Sequence, residues 1–176
     1  MKFYQILSWF KRNLNKNFLS QRKTIAYLVF GLLCSRKAGV ASIGRHMKTY
    51  TSVRHNIKRV ARYIGNKRIN IDNALKPIQN LILNHCKKLF IAIDWTKIKN
   101  SFELLKATIV CEGRTIPFLY KTYDKSKNKN KQTKIEIEFI KKLRSEIPDN
   151  IQTFILMDRG FGQKAKLLKT IEKLNF

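Results

Sequence analysis

Between Arg22 and Cys34 the apolar residues Ile25, Leu28, Val29, Leu32 and Leu33 recur at the spacing of one helical face. Gly39 lies in the break that follows. Ala41–Lys48 then reads as a short helix with Ile43 and Met47 four apart. Thr49, Tyr50, Thr51 and Ser52 form a turn signal, with Thr51 or Ser52 as N-cap of the next helix. From Val53 to Ile64 the residues Val53, Ile57, Val60 and Ile64 share a face, and Arg54, Lys58, Arg59 and Arg62 occupy the other. A long helix, a short helix, a tight turn and a basic helix make a helix-turn-helix-like order. A plain three-helix bundle with a basic surface has the same periodicity. Asn66 to Asp72 reads as a linker, and Leu75–Cys86 as an amphipathic helix with Pro77 in its first turn.

After Lys88 the pattern changes. Leu89 to Ile93 is a short apolar run ending in Asp94, and Phe102–Val110 and Thr115–Thr122 are strand-like runs. Cys111-Glu112-Gly113-Arg114 between them suits a hairpin turn. Lys125–Lys134 is polar and of low complexity, either a solvated linker or a phosphate-contacting loop. Ile135, Phe139, Ile140, Leu143 and Ile147 have helical spacing, Ile151–Met157 is a buried-strand run ending in Asp158, and Phe161–Leu174 closes the chain as a helix. The expected fold is α/β: a mixed β-β-β-α-β-α sheet over 89–176, preceded by an all-α helix-turn-helix-like region over 1–88.

Charge separates the same two parts. The chain holds 37 Lys+Arg against 11 Asp+Glu, a net +26. Residues 1–88 contain 19 basic residues and one acid, Asp72, whereas residues 89–176 contain 18 basic and 10 acidic residues. A half with one carboxylate cannot neutralise itself, and nucleic acid is the obvious polyanion to do it. With 44% apolar and 11% aromatic residues the chain can bury a core, which excludes a disordered protein. The longest apolar run, Ile25–Cys34, is shorter than the roughly 18–20 residues of a membrane span, and the amino terminus lacks a signal-peptide pattern. Cys34, Cys86 and Cys111 are odd in number and widely spaced, which argues for a reducing compartment and a cytoplasmic protein.

Asp94 and Asp158 are the candidate chemistry. Two carboxylates at the ends of neighbouring strands repel one another unless a cation sits between them, and hard oxygen ligands suit Mg²⁺ or Mn²⁺. Caps for the following turn or helix are the simpler role for strand-end aspartates. Trp95 either walls such a site, stacks on a base, or packs in the core. Arg159 either contacts a phosphate or pairs with Asp158. Gly160 and Gly162 mark a tight strand-to-helix turn, and His85-Cys86 lies at no zinc-ligand spacing from the other candidates.

Three segments together, Ile91-Ala92-Ile93-Asp94-Trp95-Thr96, Gly113 to Tyr120, and Leu156-Met157-Asp158-Arg159-Gly160-Phe161-Gly162, resemble successive landmarks of bacterial insertion-sequence transposases of the DDE type, the IS-four group. The resemblance covers Lys88 onward well and the helical half loosely. It implies an RNase H-like fold, Mg²⁺ or Mn²⁺ as cofactor, and DNA cleavage and joining. Asp94 and Asp158 would then be the first and second catalytic and metal-binding carboxylates. The implied partner is double-stranded DNA at transposon ends, with a homodimer allowed and no membrane. Arg54, Lys58, Arg59, Arg62 and Arg159 are the expected DNA contacts. The family's third carboxylate, a glutamate on a helix after a further strand, has no counterpart before Phe176, so the chain is expected to be truncated and inactive alone. Glu172 lies too early to match it. Glu136 and Glu138 are expected on the flank of their helix rather than in a catalytic role. The alternatives are a DNA-binding remnant without catalysis and a basic RNA-binding or ribosome-associated protein.

Overall fold

The computed structural model describes residues 2–14, 19–69, 71–127 and 131–176, without the side chains of 71–74. The chain divides into two compact units, Met1–Pro77 and Ile78–Phe176. The division falls within a helix, ahead of the expected boundary at 88/89. Residues 128–130 of the polar loop lie outside the described residues.

The first unit is helical: α1 (Phe3–Asn13), α2 (Leu19–Ser35), α3 (Val40–His46), α4 (Val53–Ile64) and the start of α5 (Ile71–Leu83). Helix α1 was not anticipated from the periodicity. It packs Phe3, Ile6, Leu7 and Phe10 onto Ala26, Val29 and Phe30 of α2. The face expected for α2 is therefore corrected. Ala26, Phe30 and Gly31 are buried, while Leu32 and Leu33 are exposed. The helix is apolar around much of its circumference, so periodicity alone does not choose a side. Small residues choose it: a Cβ on Gly31 would meet the Ile43 carbonyl oxygen at 2.6 Å, so α3 approaches α2 where no side chain stands. Helix α5 starts at Ile71, which shortens the expected linker and puts Pro77 inside the helix instead of in its first turn.

The second unit is α/β. Its four-stranded mixed sheet has the order β3-β2-β1-β4, with β1 (Lys88–Lys99), β2 (Phe102–Cys111), β3 (Arg114–Asp124) and β4 (Gln152–Leu156). Strands β1–β2 and β2–β3 are antiparallel hairpins, and β4 joins β1 in parallel after the crossover helix α6 (Gln132–Ser145). Cys111 pairs with Arg114 across a two-residue turn, Glu112 and Gly113, both at positive φ as a type I′ hairpin requires. After β4 come α7 (Arg159–Gly162) and α8 (Ala165–Lys173), in place of the single helix expected over Phe161–Leu174. Gly160 and Gly162 belong to α7, which replaces the expected tight turn.

Alternation along the strands sorts the sheet's two faces. Leu89, Ile91 and Ile93 of β1 and Leu105, Ala107 and Ile109 of β2 join Ile135, Phe139, Ile140 and Leu143 of α6 and Leu167 of α8 in one buried cluster. On the opposite face Phe90, Phe154, Leu156 and Val110 are exposed, and the Phe90 and Phe154 rings stack at 4.9 Å. The core therefore lies on one side of the sheet, and the other side is open among the described residues.

Candidate nucleic-acid surface and carboxylate pair

Helix α4 is placed by polar fastening as much as by burial. Ser52 is its N-cap; the Ser52 Oγ accepts the His55 backbone N–H at 3.4 Å and lies 2.7 Å from His55 Nδ1. The buried Asn56 Oδ1 accepts the hydroxyls of Thr49 at 2.7 Å and Thr51 at 2.8 Å, so the preceding turn is tied to the helix it introduces. A Cβ on Gly44 of α3 would stand 2.7 Å from Ile57 Cα, so the two backbones are too close for any side chain. Of the expected apolar face, Val60 is buried, whereas Val53 and Ile64 at the helix ends are exposed. Asn56 occupies the buried position that pattern reading gave to carbon alone.

This mounting displays Arg54, Lys58 and Arg62 to solvent and leaves Arg59 half-buried. Arg59, Arg62 and His55 line a notch of about 330 Å³ with Ser20 and Thr24 of α2. An adjoining notch of about 340 Å³ shares Ser20, Thr24 and Arg59 and adds Lys23 and Tyr50. The only acid in this unit is Asp72. Among the residues that line the two notches hydroxyls and cations meet and none is a carboxylate, a set that suits a phosphate group. Tyr63 lines the first notch, and burial raises its phenol above the ordinary value.

The second candidate lies on the open face of the sheet. Asp94 does not end its strand, as expected, but sits within β1, which runs on to Lys99. The reason is its cross-strand partner: Asp94 pairs with Lys106 of β2, and their charges meet at 3.4 Å. The parallel register of β1 and β4 runs from Lys88↔Gln152 to Ala92↔Leu156, and Asp94 and Asp158 each lie two residues beyond its last pair. Asp158 keeps extended backbone angles (φ −75°, ψ 174°). By alternation Asp94 belongs to the face that carries Phe90 and Phe154. Asp158 also has the simpler role of a cap, its Oδ1 accepting the Phe161 N–H at 3.3 Å to start α7.

Against a divalent ion the donor set is thin: Asp94 is 55% exposed and already faces the Lys106 ammonium, and Asp158 caps α7. Among the described residues no group of three His, Cys, Asp or Glu side chains converges, so a closed two-ion site is not formed by them. Arg159 is exposed at the start of α7 and makes no ion pair with Asp158 among the described residues. Trp95, next to Asp94, faces the core side and packs against the main cluster and the Tyr123 ring.

Comparison with protein-family models, curated proteins and solved structures finds no match. The assignment of the site therefore rests on its geometry. No single described helix is long and apolar enough to cross a membrane.

Pattern reading missed one group. Glu136, expected on a flank, is 1% exposed. Its carboxylate accepts the Trp95 indole N–H at 2.9 Å, and the Lys164 ammonium donates to its two oxygens at 2.6 and 2.9 Å. Its position was legible, because Glu136 precedes Ile140 by four residues and Leu143 by seven on one helical face. What could not be read was a partner arriving from Lys164, beyond the next strand. Glu138 is exposed and raises the nearby Tyr123 phenol, though burial is the larger cause of that shift.

Proposed function

We propose that this chain is a DDE-type transposase polypeptide that binds duplex DNA through its helical unit and presents two metal-binding carboxylates, Asp94 and Asp158, from an RNase H-like sheet. The observation that carries the reading is the parallel β1–β4 pairing in a β3-β2-β1-β4 sheet, whose last pair, Ala92↔Leu156, lies two residues before Asp94 on one strand and Asp158 on the other chain segment. In this reading Arg54, Lys58 and Arg62 of α4 face the groove of a duplex, and Arg59 seats a backbone phosphate in the notch beside α2. Asp94 and Asp158 hold Mg²⁺ or Mn²⁺, which when bound polarises a phosphodiester for attack. Lys106, beside Asp94, neutralises its carboxylate and must yield when a cation arrives. Arg159, exposed at the mouth of α7, is free to meet a DNA phosphate.

A second reading, DNA binding without catalysis, is favoured by the Lys106–Asp94 pair and by the two-carboxylate donor set. Selection from a pool of randomised duplexes, followed by a nicking assay with Mn²⁺ on the enriched sequence, separates the two. Enrichment with 3′-hydroxyl nicks that vanish in Asp94→Asn supports an active transposase. Enrichment without nicks supports binding alone. No enrichment, with equal affinity for RNA, would sink the transposase reading.

A further inference from the structure

Glu136 lies on the opposite side of the sheet from Asp94. It projects from α6, which covers the core face, and bonds Trp95, whose side chain points to that face as Asp94 points away from it. It is therefore not a third ligand for an ion held by Asp94 and Asp158. Yet its three hydrogen bonds reach β1 and the segment between α7 and α8. Trp95 directly follows Asp94 on β1, and Lys164 sits just past α7, the helix that Asp158 caps. A buried carboxylate persists only when its hydrogen-bonding capacity is met, and here the groups that meet it come from the residue after Asp94 and from just past the far end of the helix that Asp158 caps.

We propose that Glu136 is a positioning residue: by bonding Trp95 and Lys164 at once it ties the Asp94 segment of β1 to the α7 segment after Asp158 and fixes the spacing of the two carboxylates. The proposal rests on the reading of those carboxylates as a metal-binding pair. Lys164 strengthens the tie by lying over the Phe161 ring, 5.3 Å from its centroid, and Phe161 is itself buried at the base of α7. Removing the tie would let the α7 segment shift without unpacking the sheet, since the strands and α6 keep their apolar contacts. Outer groups of this kind usually change metal affinity by about 10–100-fold.

The test uses the full chain with the double substitution E136Q/K164M, which removes both charges of the pair and keeps an acceptor for the Trp95 N–H. A thermal melt checks folding, amide exchange reads residues 159–164 against β1, and titration calorimetry reads Mn²⁺ affinity. The expected result is a cooperative melt, faster exchange at 159–164 with β1 unchanged, and Mn²⁺ binding weakened by about 10-fold or more. Parent-like exchange would overturn the tie, and loosened exchange with parent-like Mn²⁺ affinity would overturn its role in spacing the ligands. Should the double variant fail to fold, Trp95→Phe removes the β1 end of the tie alone and is judged by the same two readings. If the parent itself binds no Mn²⁺, the metal reading falls, and exchange alone decides whether the tie exists.

Discussion

Residues 1–77 carry seventeen basic side chains and one acid, and residues 78–176 carry twenty basic and ten acidic ones. The sheet unit uses its acids internally: Asp94 with Lys106, Glu103 with Lys125, Glu136 with Lys164, and Asp149 with Arg144. The helical unit has no such supply. Its buried residues fall into two small clusters, around Phe30 and around Val60, and its turn is secured by Thr49, Thr51 and Asn56. The sheet unit has one large continuous cluster instead. The contrast separates two ways of using charge. Where an acid meets a base, the ion pair positions side chains; where basic residues have no acid to meet, the excess remains for a polyanion.

The largest effect should come from breaking that imbalance. Replacing Arg54, Lys58, Arg59 and Arg62 together by glutamine is expected to weaken duplex binding by about 10²–10³-fold near 0.1 M salt. It should also lower the slope of log K against log salt by about one for each lost phosphate contact. Anisotropy titrations at several salt concentrations read both. An unchanged slope would mean that α4 does not face the DNA.

The unequal cores give the next contrast. Leu143→Ala, in the middle of the sheet unit's cluster, should cost about 2–5 kcal/mol, toward the upper end because α6 and the sheet cannot collapse onto the gap. Ile6→Ala, in a thin cluster between two helices, should fall toward the lower end. Urea unfolding measures both, and equal losses would remove the distinction. Asn56→Ala tests the polar fastening. It leaves the Thr49 and Thr51 hydroxyls without their shared acceptor and should cost about 1–3 kcal/mol in the same assay.

The smallest effect is alkaline and confined to the helical unit. Burial raises the Tyr63 phenol above 10.0, so the folded state keeps that proton at a pH where the unfolded chain has shed it. Its contribution to stability is complete below pH 10 and is lost as pH rises through the folded-state value. Tyr63→Phe should therefore flatten part of the decline in melting temperature above pH 10, and an unaltered profile would show that Tyr63 does not contribute.

Much of this architecture was legible in local pattern. The bounds Val53–Ile64, the Ser52 cap, the Gly113 hairpin turn and the buried set Ile135, Phe139, Ile140 and Leu143 all follow from periodicity and turn chemistry. The errors arose where distant partners decide. The buried side of α2 depends on α1 and α3 meeting Ala26 and Gly31. Strand β1 runs past Asp94 because β2 supplies Lys106 opposite it. Glu136 is buried because Lys164 and Trp95 arrive from other elements. Of the candidate site, the identity of the two aspartates could be read from the chain, whereas the pairing of the strands that precede them required the β1–β4 register.

That register also supplies the most direct test. Titration of the full chain with Mn²⁺ should show one weak site, and Asp94→Asn and Asp158→Asn should each abolish it, because either loss leaves a single carboxylate. Lys106→Met should strengthen it by removing the competing ammonium from Asp94. Binding that survives in both aspartate variants, or no binding in a folded parent, would contradict the account: Asp158 would then be a helix cap, and Asp94 the partner of a lysine.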